Sequence, residues 1–205
     1  MPDSSLLKQA GEAARKGQLQ SAGKKLERFL RQQPSHLQAL HMAAVIDHQR
    51  GKNRRAEHRM AKALELRPEW PEGWFILGEI RRVEADLTAA MVAYAKAESQ
   101  GLAGGDLYFG WGVAALEAGQ PELAHRLLTQ ATDKNPKDAK AWNNLGLSCV
   151  QLSWYHQAGT AFQSSLELAP DNANAKANLA DVLDRKGDYA GAVICYRELA
   201  ARDQS

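Results

Sequence analysis

The amino-acid sequence predicts an all-α fold, a solenoid of stacked antiparallel helix pairs, and three observations carry that expectation. Alanine recurs at one fixed interval of 34 residues, at Ala22, Ala56, Ala90, Ala124, Ala158 and Ala192. Other positions keep phase with it. A small residue stands twelve places earlier (Ala10, Ala44, Gly78, Gly112, Gly146, Ala180) and a large apolar residue four places later (Leu26, Met60, Tyr94, Leu128, Phe162, Tyr196). Inside each interval the apolar residues fall at helical spacing and do not alternate as a strand would.

The elements of one unit follow in order from these residues. Trp142, Leu145 and Cys149 lie along one face of a first helix. A glycine then ends that helix, at Gly17, Gly51, Gly119 and Gly187, because a left-handed residue costs glycine nothing sterically; Ala85 and Ser153 take the same slot in the other two units. Pro121 and Asp188, just beyond, are residues that open a helix. Ala158, Phe162 and Leu166 form the apolar face of the second helix, and Pro34, Pro68, Pro136 and Pro170 stop it in four units. A single hairpin of this kind cannot bury its apolar stripe, so the units have to stack.

The period and residue types resemble the tetratricopeptide repeat family, whose pattern runs aromatic or leucine, Leu-Gly, Ala, aromatic, Pro. Trp142, Leu145-Gly146, Ala158, Phe162 and Pro170 carry it best. Counted from Asp3, the units are 3–36, 37–70, 71–104, 105–138, 139–172 and 173–205, a single array over residues 1–205. The resemblance implies a right-handed superhelix. Departures are local: Leu102 and Gln204 replace the closing proline, and Phe29, Ser165 and Leu199 stand where a small alanine is usual.

Composition excludes several classes of function. With 44% hydrophobic and 24% charged residues the chain is ordinary globular material. No stretch approaches eighteen apolar residues, and the N-terminus lacks the basic start and apolar run of a secretion signal, so the sequence reads as cytoplasmic. Cys149 and Cys195 form neither a CxxC pair nor a disulfide framework and read as reduced thiols. The sequence contains no phosphate-binding glycine loop, no nucleophile elbow and no HExxH or zinc-spaced Cys/His set, so no catalytic site, metal or cofactor is expected. His41 and His48, two turns apart on one helix, lack the spacing and carboxylate partner of a metal site and read as polar groove lining.

Charge is unevenly distributed. Residues 1–70 hold 14 Lys and Arg against 7 Asp and Glu, whereas residues 71–205 hold 12 against 17. Arg54, Arg55, His58, Arg59 and Lys62 form the densest basic stretch, with Lys24, Lys25, Arg28 and Arg31 one unit earlier. It lacks interleaved aromatics for base stacking, so a solvated helix face is preferred over nucleic-acid binding, which stands third among the functional readings.

In tetratricopeptide arrays the second, fifth, sixth, ninth and twelfth positions of each first helix line a concave groove. Mapped here, the resemblance makes the middle of the groove apolar, through Met42, Val45, Phe75, Ile76, Phe109 and Val113, and its end polar. Asn144 and Asn178 stand one repeat apart and resemble the asparagine ladder with which some family members clasp a peptide backbone, since a carboxamide is both donor and acceptor. Lys140, Asn143, Asn174 and Asp181 border that strip. The chaperone-tail carboxylate clamp of other members is rejected, because its positions read Leu7, Gly11, Met42, Glu72 and Ile76.

The expected function is therefore a non-catalytic scaffold or adaptor that binds a protein or peptide segment in this groove. The alternative is the recruiting arm of a larger enzyme such as a bacterial sulfotransferase or glycosyltransferase. Tyr189, Val193 and Tyr196 lack an obvious cover at the end of the sixth unit, so a homo-oligomer through that unit is a further expectation.

Overall fold

The structure is a computed structural model that describes residues 4–202, and those residues form twelve α-helices and no strand. They pair as α1 (Ser4–Arg15) with α2 (Leu19–Gln32), α3 (Leu37–Gln49) with α4 (Asn53–Leu66), and α5 (Pro71–Val83) with α6 (Leu87–Ser99). The remaining pairs are α7 (Gly105–Glu117) with α8 (Pro121–Lys134), α9 (Ala139–Gln151) with α10 (Tyr155–Leu168), and α11 (Ala173–Arg185) with α12 (Tyr189–Arg202). The expected all-α solenoid of helix pairs is what forms. Contacts group the chain into two compact units that divide between Leu102 and Ala103, each holding three hairpins.

The 34-residue frame is a frame of burial. Five of the six framing alanines are fully buried, and Ala192 is nearly so. The small residues twelve places earlier let the paired helices meet. A Cβ on Gly78 would come within 2.6 Å of the Tyr94 ring, one on Gly112 within 2.7 Å of Leu128 Cγ, and one on Gly146 would enter the Phe162 ring. Small residue and large residue are therefore two halves of one contact, repeated along the chain.

All six turns inside the hairpins close in the same way. In the first, Gly17 N–H donates to Ala14 O (2.9 Å) and Gln18 N–H to Ala13 O (2.9 Å), the double closure of a Schellman motif with a left-handed residue after the helix. Ala85 and Ser153 adopt this conformation too, each at φ 61°, although both carry a Cβ that crowds the backbone there. Both are exposed, so nothing but backbone geometry changes on substitution. Ala85→Gly and Ser153→Gly are each expected to stabilise the chain by about 1 kcal/mol, read as a raised urea midpoint; Ala118→Gly, in the right-handed region one residue before such a turn, serves as the control and should not stabilise.

Departures from the repeat pattern are absorbed locally. Where Leu102 replaces the closing proline, Gly101 turns left-handed at φ 96° and Leu102 N–H donates to Ala97 O (3.1 Å), so a second Schellman turn stops α6. Phe29 is 2% exposed and packs edge-on to His36, with centroids 5.0 Å apart. Ser165 is buried and its hydroxyl donates to Ala139 O (2.7 Å), which couples α10 to the start of α9. Two tryptophans pin connections in the same register: Trp74 Nε1 donates to Pro68 O (2.8 Å) and Trp142 Nε1 to Pro136 O (2.9 Å).

Candidate functional site

The residues expected to line the groove lie on first helices, and the two compact halves present different chemistry. In the first half, Met42 and Val45 on α3 and Phe75 and Ile76 on α5 are all half-buried. Met42 packs against the core shared by α1, α2 and α3, and Ile76 against that of α3, α4 and α5. The Phe75 ring lies 6.1 Å from that of Tyr94, tilted by 44°. Each of these side chains therefore has one flank in the core and one toward solvent. Leu7, Gly11 and Met42, with Lys8, Arg15 and Gln38 around them, enclose a concavity of about 590 Å³ between α1 and α3.

Two groove positions in this half escaped the sequence reading. Glu79 and Arg82 occupy the ninth and twelfth positions of α5. Glu79 accepts a hydrogen bond from the Tyr94 hydroxyl (2.5 Å) on one oxygen and from Arg82 (2.9 Å) on the other. Burial, and next the Glu79 charge, push the Tyr94 hydroxyl far above its ordinary pKa. Burial opposes the charge on Arg82, but the Glu79 carboxylate outweighs it and holds the guanidinium firmly protonated. An apolar floor with a fixed ionic pair beside it is the outcome. The positions were available from the frame; choosing only apolar residues passed over them.

In the second half, Phe109 and Val113 on α7 are half-buried. On α9, Asn143 and Asn144 are half-buried and Lys140 exposed; on α11, Asn178 is half-buried and Asn174 and Asp181 exposed. The structure joins Asn178 to Asn143, Nδ2 to Oδ1 at 3.2 Å, across the two helices. Asn144 Nδ2 donates to Lys140 O of its own helix (2.9 Å), and Asp181 accepts from the Tyr196 hydroxyl (2.7 Å). The direct contact between helices is thus a diagonal of 35 residues, one more than the repeat, beside the 34-residue spacing of Asn144 and Asn178.

Four histidines serve packing and capping. His36 Nδ1 accepts from Ala39 N–H at the start of α3 (3.2 Å), and His48 Nδ1 shares a hydrogen bond with Asn53 (2.8 Å). His41 stands edge-on to Trp70 at 4.9 Å, where burial lowers its pKa and favours the neutral ring. His125 lies 3.5 Å from Cys149 Sγ and edge-on to Trp154, and burial pushes the Cys149 thiol up. Among the described residues no group of three or more His, Cys, Asp or Glu is placed to hold a metal.

Two arginines of the basic ridge are tied into ion pairs. Arg55 donates to Glu27 (2.5 Å) and lies 3.6 Å from Asp47; Arg59 donates to the buried Asp47 carboxylate. The Arg55 hydrogen bond holds the Glu27 carboxyl below its ordinary pKa. Arg81 of α5 pairs with Glu57 of α4 (2.9 Å). Charge spent inside such pairs is not offered to phosphates.

Comparison with known proteins agrees with this architecture. A curated relative, the type IV pilus assembly protein PilF of Pseudomonas aeruginosa, is 26% identical over 146 residues, which are 70% of this chain and 58% of that protein. BBSome complex member bbs-4 of Caenorhabditis elegans is 23% identical over 169 residues, 82% of this chain and 37% of that protein. The chain thus spans less than two thirds of these relatives. Among solved structures, PilW, a type IV pilus biogenesis factor, superimposes with a TM-score of 0.84 at 18% identity, over 97% of this chain and 92% of that one. The two pilus proteins are named for assembly and biogenesis, and bbs-4 for membership of a complex. No helix among the described residues is long and apolar enough to cross a membrane. The tetratricopeptide repeat profile matches residues 42–103, 109–153 and 150–205, and with the repeat frame, the paired helices and their left-handed turns it establishes that the chain belongs to the tetratricopeptide repeat family.

Proposed function

We propose that the chain is a non-catalytic scaffold that holds an extended segment of a partner protein along its first-helix face. The observation that carries this reading is the carboxamide cluster of the second half: Asn143, Asn144 and Asn178 stand together on α9 and α11, half-buried, with two of their amides already oriented by hydrogen bonds. Oriented carboxamides offer acceptor oxygens to a peptide backbone at little further cost in side-chain entropy. The apolar side chains of the first half, Met42, Phe75 and Ile76, suit one or two apolar anchors of the same or another segment. Phe109, Val113, Lys140, Asn174 and Asp181 complete the proposed contact surface of the second half.

The test is affinity capture of partners by the chain and by an Asn144→Ala/Asn178→Ala variant, quantified by mass spectrometry. The variant is expected to lose about 1–3 kcal/mol of binding for each clasp removed, while its melting temperature stays close to that of the parent. An Arg54→Ala/Lys62→Ala variant on the basic ridge is expected to keep the same partners. Retention by the asparagine variant, with loss in the ridge variant, would move the binding surface to the second helices.

A further inference from the structure

Beside the two paired arginines of the basic ridge lie cations without a partner. A concavity of about 380 Å³ opens between α2 and α4, within the first compact half, and Leu30, Pro34 and Leu40 line it together with Arg31, His58 and Lys62. The other two lining residues, Glu27 and Arg59, are charged but already committed. Glu27 accepts from Arg55 at 2.5 Å, and Arg59 is held by the buried Asp47 carboxylate with Glu27 3.9 Å away. Arg31, His58 and Lys62 make no hydrogen bond or ion pair with another side chain among the described residues. Lys62 is half-buried and Arg31 and His58 are exposed, so all three can turn to a guest.

Repetition supplies an internal standard for this slot, because the 34-residue period sets equivalent positions between α4 and α6, α8 and α10, and α10 and α12, each pair within one half. An acid stands at the position of Arg31 in all three, as Glu65, Asp133 and Glu167. Where the first slot has His58 and Lys62, the others have Val92 and Lys96, Thr160 and Ser164, and Ile194 and Glu198. Of the four, only the first is cationic. Two fixed cations and an imidazole around an apolar floor define the chemistry of a guest. A carboxylate carries one charge and leaves a cation over, whereas a phosphate monoester carries about −1.5 to −2 near neutral pH and offers oxygens to the Arg31 fork, the Lys62 ammonium and the His58 ring. A phosphodiester, as in nucleic acid, carries a single charge and finds no phenyl or indole face in this lining for its base. Leu30, Pro34 and Leu40 leave room for an apolar body beside the phosphate.

We propose that this concavity binds a phosphate monoester with an apolar body, its phosphate held by Arg31, His58 and Lys62. The site lies on the second helices and is separate from the first-helix face assigned to the partner segment.

Titration of the isotope-labelled full chain with phenyl phosphate, followed through its amide resonances, tests the site. The expected result is saturable shifts confined to the end of α2, the connection after it and α4, with inorganic phosphate competing and benzoate binding more weakly. Arg31→Gln and Lys62→Gln should each weaken phenyl phosphate about tenfold, the loss of one charge-assisted hydrogen bond, at unchanged circular dichroism. Arg54→Gln removes the same charge from α4 outside the lining and should leave the affinity within about twofold. Phosphatidylcholine vesicles carrying phosphatidic acid, a monoester, or phosphatidylglycerol, a diester, at matched charge separate a lipid headgroup from a soluble ligand. Sedimentation with phosphatidic acid alone supports the proposal and makes a lipid the source; sedimentation with neither, beside binding of phenyl phosphate, supports it and makes a soluble monoester the source. The absence of saturable shifts overturns the proposal. A loss in Arg54→Gln equal to that in Arg31→Gln, or equal sedimentation with both vesicle types, is attraction to the whole basic face and overturns it too. Benzoate binding as tightly as phenyl phosphate does the same.

Discussion

Phe162→Ala is expected to lower the stability of the second half by about 3–5 kcal/mol, measured as a shift of the urea midpoint at unchanged slope. The ring is fully buried and fills the space that Gly146 leaves open on the facing helix, so its removal creates a cavity at the closest approach of α9 and α10. Backbone cannot collapse into that void without parting the small residues that set the helix spacing. The opposite substitution tests the same contact from the other side. Gly146→Ala places a methyl group inside the ring position and should cost about 1–3 kcal/mol by overpacking. Since the two residues touch, their effects should not add: Gly146→Ala combined with Phe162→Leu is expected to be less damaging than the sum of the single changes. Tyr196→Ala, at the equivalent but half-open position, should cost well under the Phe162 value. Equal costs at the two sites would mean that Tyr196 is covered in solution.

Asp47→Ala is expected to cost about 3 kcal/mol, the low end of what breaking a buried ion pair costs. Asp47 is 1% exposed, accepts from Arg59, and has Arg55 at 3.6 Å, while its second oxygen Oδ1 has no hydrogen-bond partner among the described residues. Deleting the carboxylate leaves the Arg59 guanidinium, whose side chain is 13% exposed, with only Glu27 at 3.9 Å to balance it. Asp47→Leu combined with Arg59→Met should recover most of the loss, because an apolar pair of similar volume needs no desolvated charge. Thermal or urea unfolding of the two variants beside the parent decides the matter. A cost for Asp47→Ala within the ~0–1 kcal/mol of exposed pairs would show that water reaches the cluster.

Much of the fold was readable because a repeat displays its constraints six times. The framing alanines, the small-to-large contact at Gly146 and Phe162, and the left-handed slot that Ala85 and Ser153 share with four glycines all emerge from phase alone. Contacts between units were harder to read. Asn143 meets Asn178 on a diagonal one residue off the repeat, and a period counted along the chain contains no such offset. The Asp47 cluster was hidden for another reason. Arg55 and Arg59 look like a solvated basic face when only their own helix is considered, and the acid that neutralises them lies on the preceding helix. Tyr94 with Glu79 belongs to the same class, a polar pair whose partners are fifteen residues apart and meet only once the hairpin closes. For the candidate groove, the repeat frame supplies the expected positions, whereas the hydrogen bonds that orient Asn144 and Asn178 follow only from the folded structure.

The indole bonds to proline carbonyls make the connections unequal in compliance. Within each compact half one helix-to-helix connection, α4 to α5 or α8 to α9, carries a tryptophan strut, and Gln100 Nε2 adds a second donor to Pro68 O (2.9 Å). The corresponding donor positions for α2 to α3 and α10 to α11 are Leu40, which has no side-chain donor, and Lys176, which is turned to Glu198. Any curvature change along a half is therefore concentrated at its unbraced connection, as bending in a jointed beam concentrates at the pin without a strut. A load applied within one half would open it first at that connection, beside α2 in the first half and beside α11 in the second, and would keep α5 and α9 seated.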